Sequence, residues 1–332
     1  MLKSLVTGGA GFLGSHVAEA LLKRGHKVAV IDDLSGGYVE NVPPGAEFIE
    51  VSINDTDSID SLFRSHQFDY VFHLAAYAAE GLSHFIKRFN YVNNLIGSVN
   101  LINACVNYET KCLVFTSSIA VYGDSASLPI TEEQQPSPED PYGIAKLAVE
   151  AELKVTRNLF GLEYIIFRPH NVYGERQNIG DRYRNVVGIF MNQILQGSPM
   201  TIFGDGSQTR AFTYISNVAP IIAASIDVPE ARNEVFNIGA DEPYSVIYLA
   251  EQVAKAMGVE PEIVYLPARN EVKHAFSSHK KLESVFGKQS KLPLTEGLLT
   301  MAKWAKAYGA RKSKKFENIE IRKNVPPVWL KD

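Results

Sequence analysis

An α/β fold, built as a doubly wound parallel sheet with a smaller C-terminal lobe, is predicted by three observations in this 332-residue chain. Strand-like apolar runs at 4–6, 28–31, 48–51, 70–73, 112–115 and 164–168 alternate with helical patterns. These runs are apolar on both faces, as strands covered by helices on each side must be. After about residue 170 the alternation lapses into Gly/Asp/Ser-rich loops such as Phe203-Gly204-Asp205-Gly206-Ser207, with later helical segments near 249–257 and 298–308. The expected division is therefore 1–170 for the sheet domain and 171–332 mainly for the lobe, with some segments returning to the first domain.

The first strand runs straight into Thr7-Gly8-Gly9-Ala10-Gly11-Phe12-Leu13-Gly14, and a helical pattern follows from Ser15. Glycines at 8, 11 and 14 permit a tight turn, close approach of backbone to a pyrophosphate, and packing of helix on sheet. The second strand ends in Asp32, eighteen residues beyond Gly14, where a carboxylate accepts hydrogen bonds from a ribose 2′-hydroxyl. Asp33 follows, so a 2′-phosphate would meet two carboxylates and no arginine. The pattern predicts a dinucleotide site that prefers NAD to NADP.

Composition narrows the setting. The chain is 45% hydrophobic and 21% charged, with a formal net charge of −4 and a pI near 6.1, which leaves no electrostatic footprint for nucleic acid. The basic stretch Arg311, Lys312, Lys314 and Lys315 reads as a solvated face. Cys105 and Cys112 have no neighbouring Cys or His at metal-ligand spacing and are expected to be buried and reduced, and no metal is expected. The first strand begins within a few residues of Met1, and no apolar run approaches the ~20 residues that span a bilayer, so a cytoplasmic protein is expected.

Two helical stripes flank the fifth strand: Leu95, Val99, Ile102 and Val106 on one, and Leu147, Ala151 and Val155 on the other. The second helix opens with Pro141-Tyr142-Gly143-Ile144-Ala145-Lys146, which puts a phenol and an ammonium at i and i+4 on one face. Only about a thousandth of free tyrosine is ionised at pH 7, so a tyrosinate base needs a nearby positive charge. The fifth strand leads into Thr116-Ser117-Ser118, placing hydroxyls at the carboxyl edge of the sheet, where open α/β sheets bind ligands. Ser118 is thereby a candidate to hold the substrate oxygen that Tyr142 deprotonates.

These residues resemble the extended short-chain dehydrogenase/reductases, and within them the NAD-dependent nucleotide-sugar epimerases and dehydratases. The resemblance spans nearly the whole chain. It runs through the glycine turn, Asp32, His73-Leu74-Ala75-Ala76, Asn94-Leu95-Ile96-Gly97, Ser117 to Gly123, the Tyr142/Lys146 pair and Arg168 to Gly174. Gly204 to Arg210, Phe236-Asn237-Ile238-Gly239 and Arg269-Asn270-Glu271-Val272 extend it.

The resemblance implies a Rossmann-like sheet and an NAD site made by Gly8, Gly11, Phe12, Leu13, Asp32, Asp33, Ser52, Ile53, Leu74, Ala75, Ala76, Asn94, Tyr142 and Lys146. It implies that Asn171 and Asn185 touch a UDP-sugar, that Arg210 and Arg269 grip its diphosphate, and that the chain forms a homodimer. In that interface the helix of Asn94 to Val106 and the one from Tyr142 would pair across a two-fold axis, with Leu101 and Leu153 among the apolar residues to spare. Ile119 and Ala120 occupy the positions of the Asp-Glu pair that the family's dehydratases use. The pattern departs at Ser52 and Ala211, where Asp is usual.

The implied activity is 4-epimerisation of a UDP-sugar, with Ser118, Tyr142 and Lys146 as the catalytic set. Reductase or dehydratase chemistry and a non-catalytic NAD-binding scaffold are the rival readings. Glu80 is a candidate sugar ligand or second acid/base, His84 shares that ambiguity, and His170 is expected to pack or orient beside Asn171. Ala275, by the same resemblance, would gate the sugar's 2-substituent and admit an N-acetyl group.

Overall fold

The computed structural model describes all residues except 126, 270, 313, 314, 331 and 332. Lys314 of the basic stretch and Asn270 of the distal motif therefore lie outside the described residues. The main sheet contains β1 (Lys3–Thr7), β2 (Lys27–Asp32), β3 (Glu47–Glu50), β4 (Tyr70–His73), β5 (Cys112–Thr116) and β6 (Glu163–Pro169). A seventh strand, Val235–Ile238, returns from the C-terminal half to pair with β6, and every pairing is parallel. The order β3-β2-β1-β4-β5-β6 puts a reversal of winding between β1 and β4, so a crevice opens at their carboxyl ends.

The helices are α1 (Phe12–Lys23), α2 (Thr56–His66), the short α3 (Glu80–Ser83) and α4 (Lys87–Tyr91), α5 (Gly97–Asn107), α6 (Pro141–Phe160) and α7 (Val186–Leu195). Two apolar layers sandwich the sheet. One joins the face carrying Val6, Val30, Phe72 and Val114 to α1 and the C-terminal helices; the other joins Leu5, Ile31, Val71 and Phe115 to α2, α5 and α6. No helix among the described residues is long and apolar enough to cross a membrane.

α6 carries the chemistry, and its start is written locally. Asp140 caps it by accepting from the Gly143 N–H at 2.8 Å, and Pro141 occupies the first turn, where a missing N–H costs nothing. The buried face of α6, however, is not the expected stripe. Ala151 and Val155 are exposed, whereas Tyr142, Lys146, Val149, Glu150 and Leu153 face the sheet. The polar side chains of Lys146 and Glu150 have partners beneath the helix, and those partners rotate it away from the purely apolar choice.

The partner of Glu150 is Arg168 on β6. Arg168 Nε donates to the Glu150 carboxylate at 2.9 Å, Ser117 Oγ donates to the same carboxylate at 2.6 Å, and Arg168 Nη1 reaches Tyr122 at 2.6 Å. Tyr122 in turn donates to Asn237 on the returning strand at 2.9 Å. Both charged side chains are nearly sealed from water, so removing one strands the other. Glu150→Ala is expected to cost ~3 to 5 kcal/mol of stability, read from urea unfolding; a loss under ~1 kcal/mol would show that water or a rearranged partner takes over.

Candidate active site

A cleft of about 480 Å³ lies at the carboxyl edge of the sheet, between the glycine turn and the C-terminal lobe. At its floor Gly8 has φ of +68°, and a Cβ there would sit 2.8 Å from the Ala75 backbone, so only glycine lets β1 and β4 end this close. The β1–β4 junction is pinned from within. His73, buried, bonds Thr7 Oγ1 and Ser98 Oγ at 2.8 Å each, while Thr7 Oγ1 accepts from the Leu74 and Ala75 N–H groups at 3.2 and 3.1 Å. Burial drops the His73 imidazole to about 3, so it stays neutral and structural.

The glycine turn fits a dinucleotide. Gly8, Gly11, Phe12, Leu13, Asp32, Asp33, Ile53, Leu74, Ala75 and Ala76 all line the cleft. Asp32 accepts from the Ala10 and Leu34 N–H groups at 3.1 and 2.9 Å, tying the turn to the end of β2. Thr116 Oγ1 is buried on the cleft wall and has no hydrogen-bond partner among the described residues. Two expected contacts are indirect. Asn94 does not line the cleft but clamps the Tyr77 backbone, accepting from its N–H at 2.8 Å and donating to its C=O at 3.1 Å. Ser52 also stands back from the wall and donates to Asp33 at 3.4 Å.

Ser118, Tyr142 and Lys146 meet on the same wall. Ser118 and Tyr142 line the same cleft, and Lys146 Nζ lies 5.7 Å from the centre of the phenol ring while donating to the Thr116 C=O at 2.8 Å. The protein's own groups do not favour a phenolate. Burial raises the Tyr142 phenol well above its ordinary value, with the charges of Glu80 and Asp140 adding to the rise; the Ser118 hydrogen bond and Arg184 oppose it. Burial also pushes the Lys146 ammonium down to about 7, against the pull of Glu150. Both groups are desolvated together, so Lys146 does not by itself favour the phenolate, in keeping with the expectation that the positive charge of an oxidised nicotinamide is needed beside it.

Across the cleft, Arg210 hydrogen-bonds the C=O groups of Thr209 and Lys273 at 2.8 and 3.0 Å. Arg269 stacks over Phe203 at 4.6 Å. Glu271 lies 3.9 Å from Arg210 and 3.0 Å from Arg269, so its carboxylate pairs with both guanidinium groups. Asn171 and Asn185 line the cleft with positive φ of 41° and 64°, a conformation that asparagine tolerates better than most side chains.

Ala275 falls outside this wall. The lining from this segment is Arg269, Glu271 and Val272, while Ala275 is buried in the short strand His274–Ala275, paired with Arg210. The position expected to gate the 2-substituent thus sits in a strand beside Arg210 and not among the cleft-lining residues. His170 packs away from the cleft against His279, with burial lowering it to about 3. Glu80 and His84 both line the cleft. Residue patterns missed Arg184 and Asp140 on the wall; the Asp-Pro start of α6 was the available signal for Asp140, and nothing local marked Arg184.

A glycine-turn cleft that sets a Ser/Tyr/Lys cluster opposite an arginine pair defines a dinucleotide-dependent enzyme of the α/β class. The chain matches the NAD dependent epimerase/dehydratase family over residues 4–239, and it belongs to that family. It is similar to UDP-glucose 4-epimerase of Mycolicibacterium smegmatis, 33% identical over 304 residues that cover 90% of this chain and 96% of the relative. Its structure is similar to that of Thermotoga maritima UDP-glucose 4-epimerase with UDP-glucose, at TM-score 0.88 and 35% identity, covering 92% of this chain and 99% of that one. It also resembles the Thermus thermophilus UDP-glucose 4-epimerase complex with NAD, at TM-score 0.85 and 34% identity, covering 91% and 98%.

The charge of Glu80 yields a test. Glu80 is exposed at the cleft, where desolvation and the nearby Asp140 carboxylate raise its carboxyl above the ordinary carboxylate range, and once ionised it opposes ionisation of Tyr142. Glu80→Gln removes the opposing charge, and the acidic limb of the kcat/KM profile is expected to move to lower pH. A limb left where it was would show that the carboxylate does not act on the phenol.

Proposed function

We propose that this protein is a UDP-sugar 4-epimerase that holds NAD through repeated turnovers, acting on UDP-glucose and UDP-galactose or on the N-acetylated pair. The observation that carries the reading is the convergence of Ser118, Tyr142 and Lys146 on the cleft that also contains the glycine turn and the Arg210/Arg269 pair. When bound, NAD supplies a nicotinamide that takes a hydride from C4 of the sugar and returns it. Tyr142 removes the proton of the 4-hydroxyl, Ser118 holds that oxygen, and Lys146 supports the phenol from the Thr116 side. Arg210 and Arg269 hold the diphosphate, so the 4-keto sugar can turn about its link and accept the hydride on its other face without escaping. With Ile119 and Ala120 beyond Ser118, the wall offers no acid there for eliminating a 6-hydroxyl.

Incubation with UDP-glucose, UDP-N-acetylglucosamine and UDP-glucuronate, followed by chromatography, tests the reaction class. A 4-epimer of unchanged mass supports epimerisation; loss of water or a stoichiometric change in the oxidation state of the cofactor would replace it with dehydration or redox chemistry. Tyr142→Phe is expected to lower turnover at least ~10²-fold while NAD stays bound. Near-normal turnover would refute the base.

A homodimer belongs to the same proposal, on a different set of residues from those first expected. Leu101 and Leu153 are fully buried in the core, whereas Val92, Ile96, Ile144, Val155, Leu159 and Phe160 leave the helices exposed by 38% to 71%. That is a large apolar surface for a monomer to show water. A dimeric mass in light scattering at micromolar concentration is expected, and a monomeric one would overturn it. The cytoplasmic setting expected from the sequence forms part of this reading.

A further inference from the structure

The glycine turn offers backbone N–H groups and a helix N-terminus to a diphosphate, but residues 7–14 contain no lysine or arginine. The lysines and arginines among the described lining residues are Lys146, Arg184, Arg210 and Arg269. Lys146 is engaged with the Thr116 carbonyl, and Arg210 and Arg269 share Glu271. Arg184 is placed differently. A Cβ built on Gly36 would lie 2.8 Å from its Nη2, so its guanidinium rests against the loop that follows β2. That loop packs on the glycine turn: the Tyr38 N–H donates to the Ala10 C=O at 2.9 Å, and a Cβ on Gly37 would stand 2.9 Å from the Gly11 nitrogen.

Arg184 comes from the segment that leads into α7, far along the chain from this loop, and its pose is fixed. Its Nε donates to Asp181 at 2.7 Å, its guanidinium covers the Tyr77 ring at 4.9 Å, and only 16% of the side chain is exposed. The adjoining Tyr183 anchors the segment, accepting from the Phe316 N–H at 2.9 Å and packing against Trp329 at 5.4 Å. Asp181 takes up Nε, so the guanidinium presents its terminal nitrogens towards the cofactor loop.

We propose that Arg184 is a diphosphate clamp: resting on the loop that packs against the glycine turn, it holds the diphosphate of the bound dinucleotide, making cofactor retention depend on the segment between β6 and α7. A guanidinium fork matches phosphate oxygens in geometry as well as charge. The proposal rests on NAD as the cofactor and deepens the epimerase reading, in which the same NAD must stay in place to return its hydride. Most of the effect falls on the release rate, because the clamp acts after the cofactor has entered.

The test uses NAD-loaded protein and follows the NAD remaining on the chain at timed intervals after gel filtration. Arg184→Ala is expected to speed NAD release at least ~10-fold, and Arg184→Lys, which keeps the charge but not the fork, to fall between. If Arg184→Ala does not fold, Arg184→Lys decides by the same measurement. Release as slow as wild type in every variant that folds would overturn the clamp, and slow release combined with a raised KM for UDP-glucose would assign the guanidinium to the sugar nucleotide instead. Failure of the epimerase reading is separate, since it appears as absence of a 4-epimer whatever the NAD release rate.

Discussion

The buried pair of Glu150 and Arg168 is the constraint on which the placement of the chemistry depends. It joins α6 to β6, and through Ser117 and Tyr122 it fastens the end of β5 and the returning strand to the same two charges. Glu150 lies one turn beyond Lys146 and two beyond Tyr142, while Ser117 precedes Ser118. Fixing the carboxylate therefore fixes the rotation of the helix and the distance from phenol to serine. A buried ion pair is a poor source of net stability, but it specifies register, since any other rotation of α6 would bury a charge alone.

The electrostatics of the cleft divide into a wall that resists charge and a rim that invites anions. On the wall, burial raises the Tyr142 phenol and lowers the Lys146 ammonium, so neither residue is poised by its neighbours alone. On the rim, Arg210 and Arg269 share the Glu271 carboxylate, which leaves the trio with a net positive charge.

The C-terminal segment takes part in this design. Trp329 packs against Phe85, Tyr183 and Phe203, and its ring lies 3.3 Å from the Cβ position of Gly81. Those residues neighbour Glu80, Arg184 and Arg269, three cleft side chains from three separate segments. Glu320 accepts from the N–H groups of Arg88 and Phe89 at 2.8 and 2.9 Å, where its charge also suits the helix N-terminus. The tail thus crosses from the smaller lobe to the sheet domain and braces the cleft from outside.

Local chemistry in the sequence was enough to determine the parallel sheet, the dinucleotide turn and the Ser118/Tyr142/Lys146 set. Each rests on short-range rules: strand runs apolar on both faces, glycines where a Cβ would strike backbone, and an i, i+4 pair on a helix. Only the tertiary structure decided the rest. It turned Ala151 and Val155 outward and Leu101 and Leu153 inward, because the helix rotation answers to partners on β5 and β6 far along the chain. It withdrew Ala275 from the cleft by pairing it with Arg210, moved Asn94 behind Tyr77, and brought Arg184 against Gly36, 148 positions away in the chain. No sequence period encodes such contacts; they arise where separate segments close on one another.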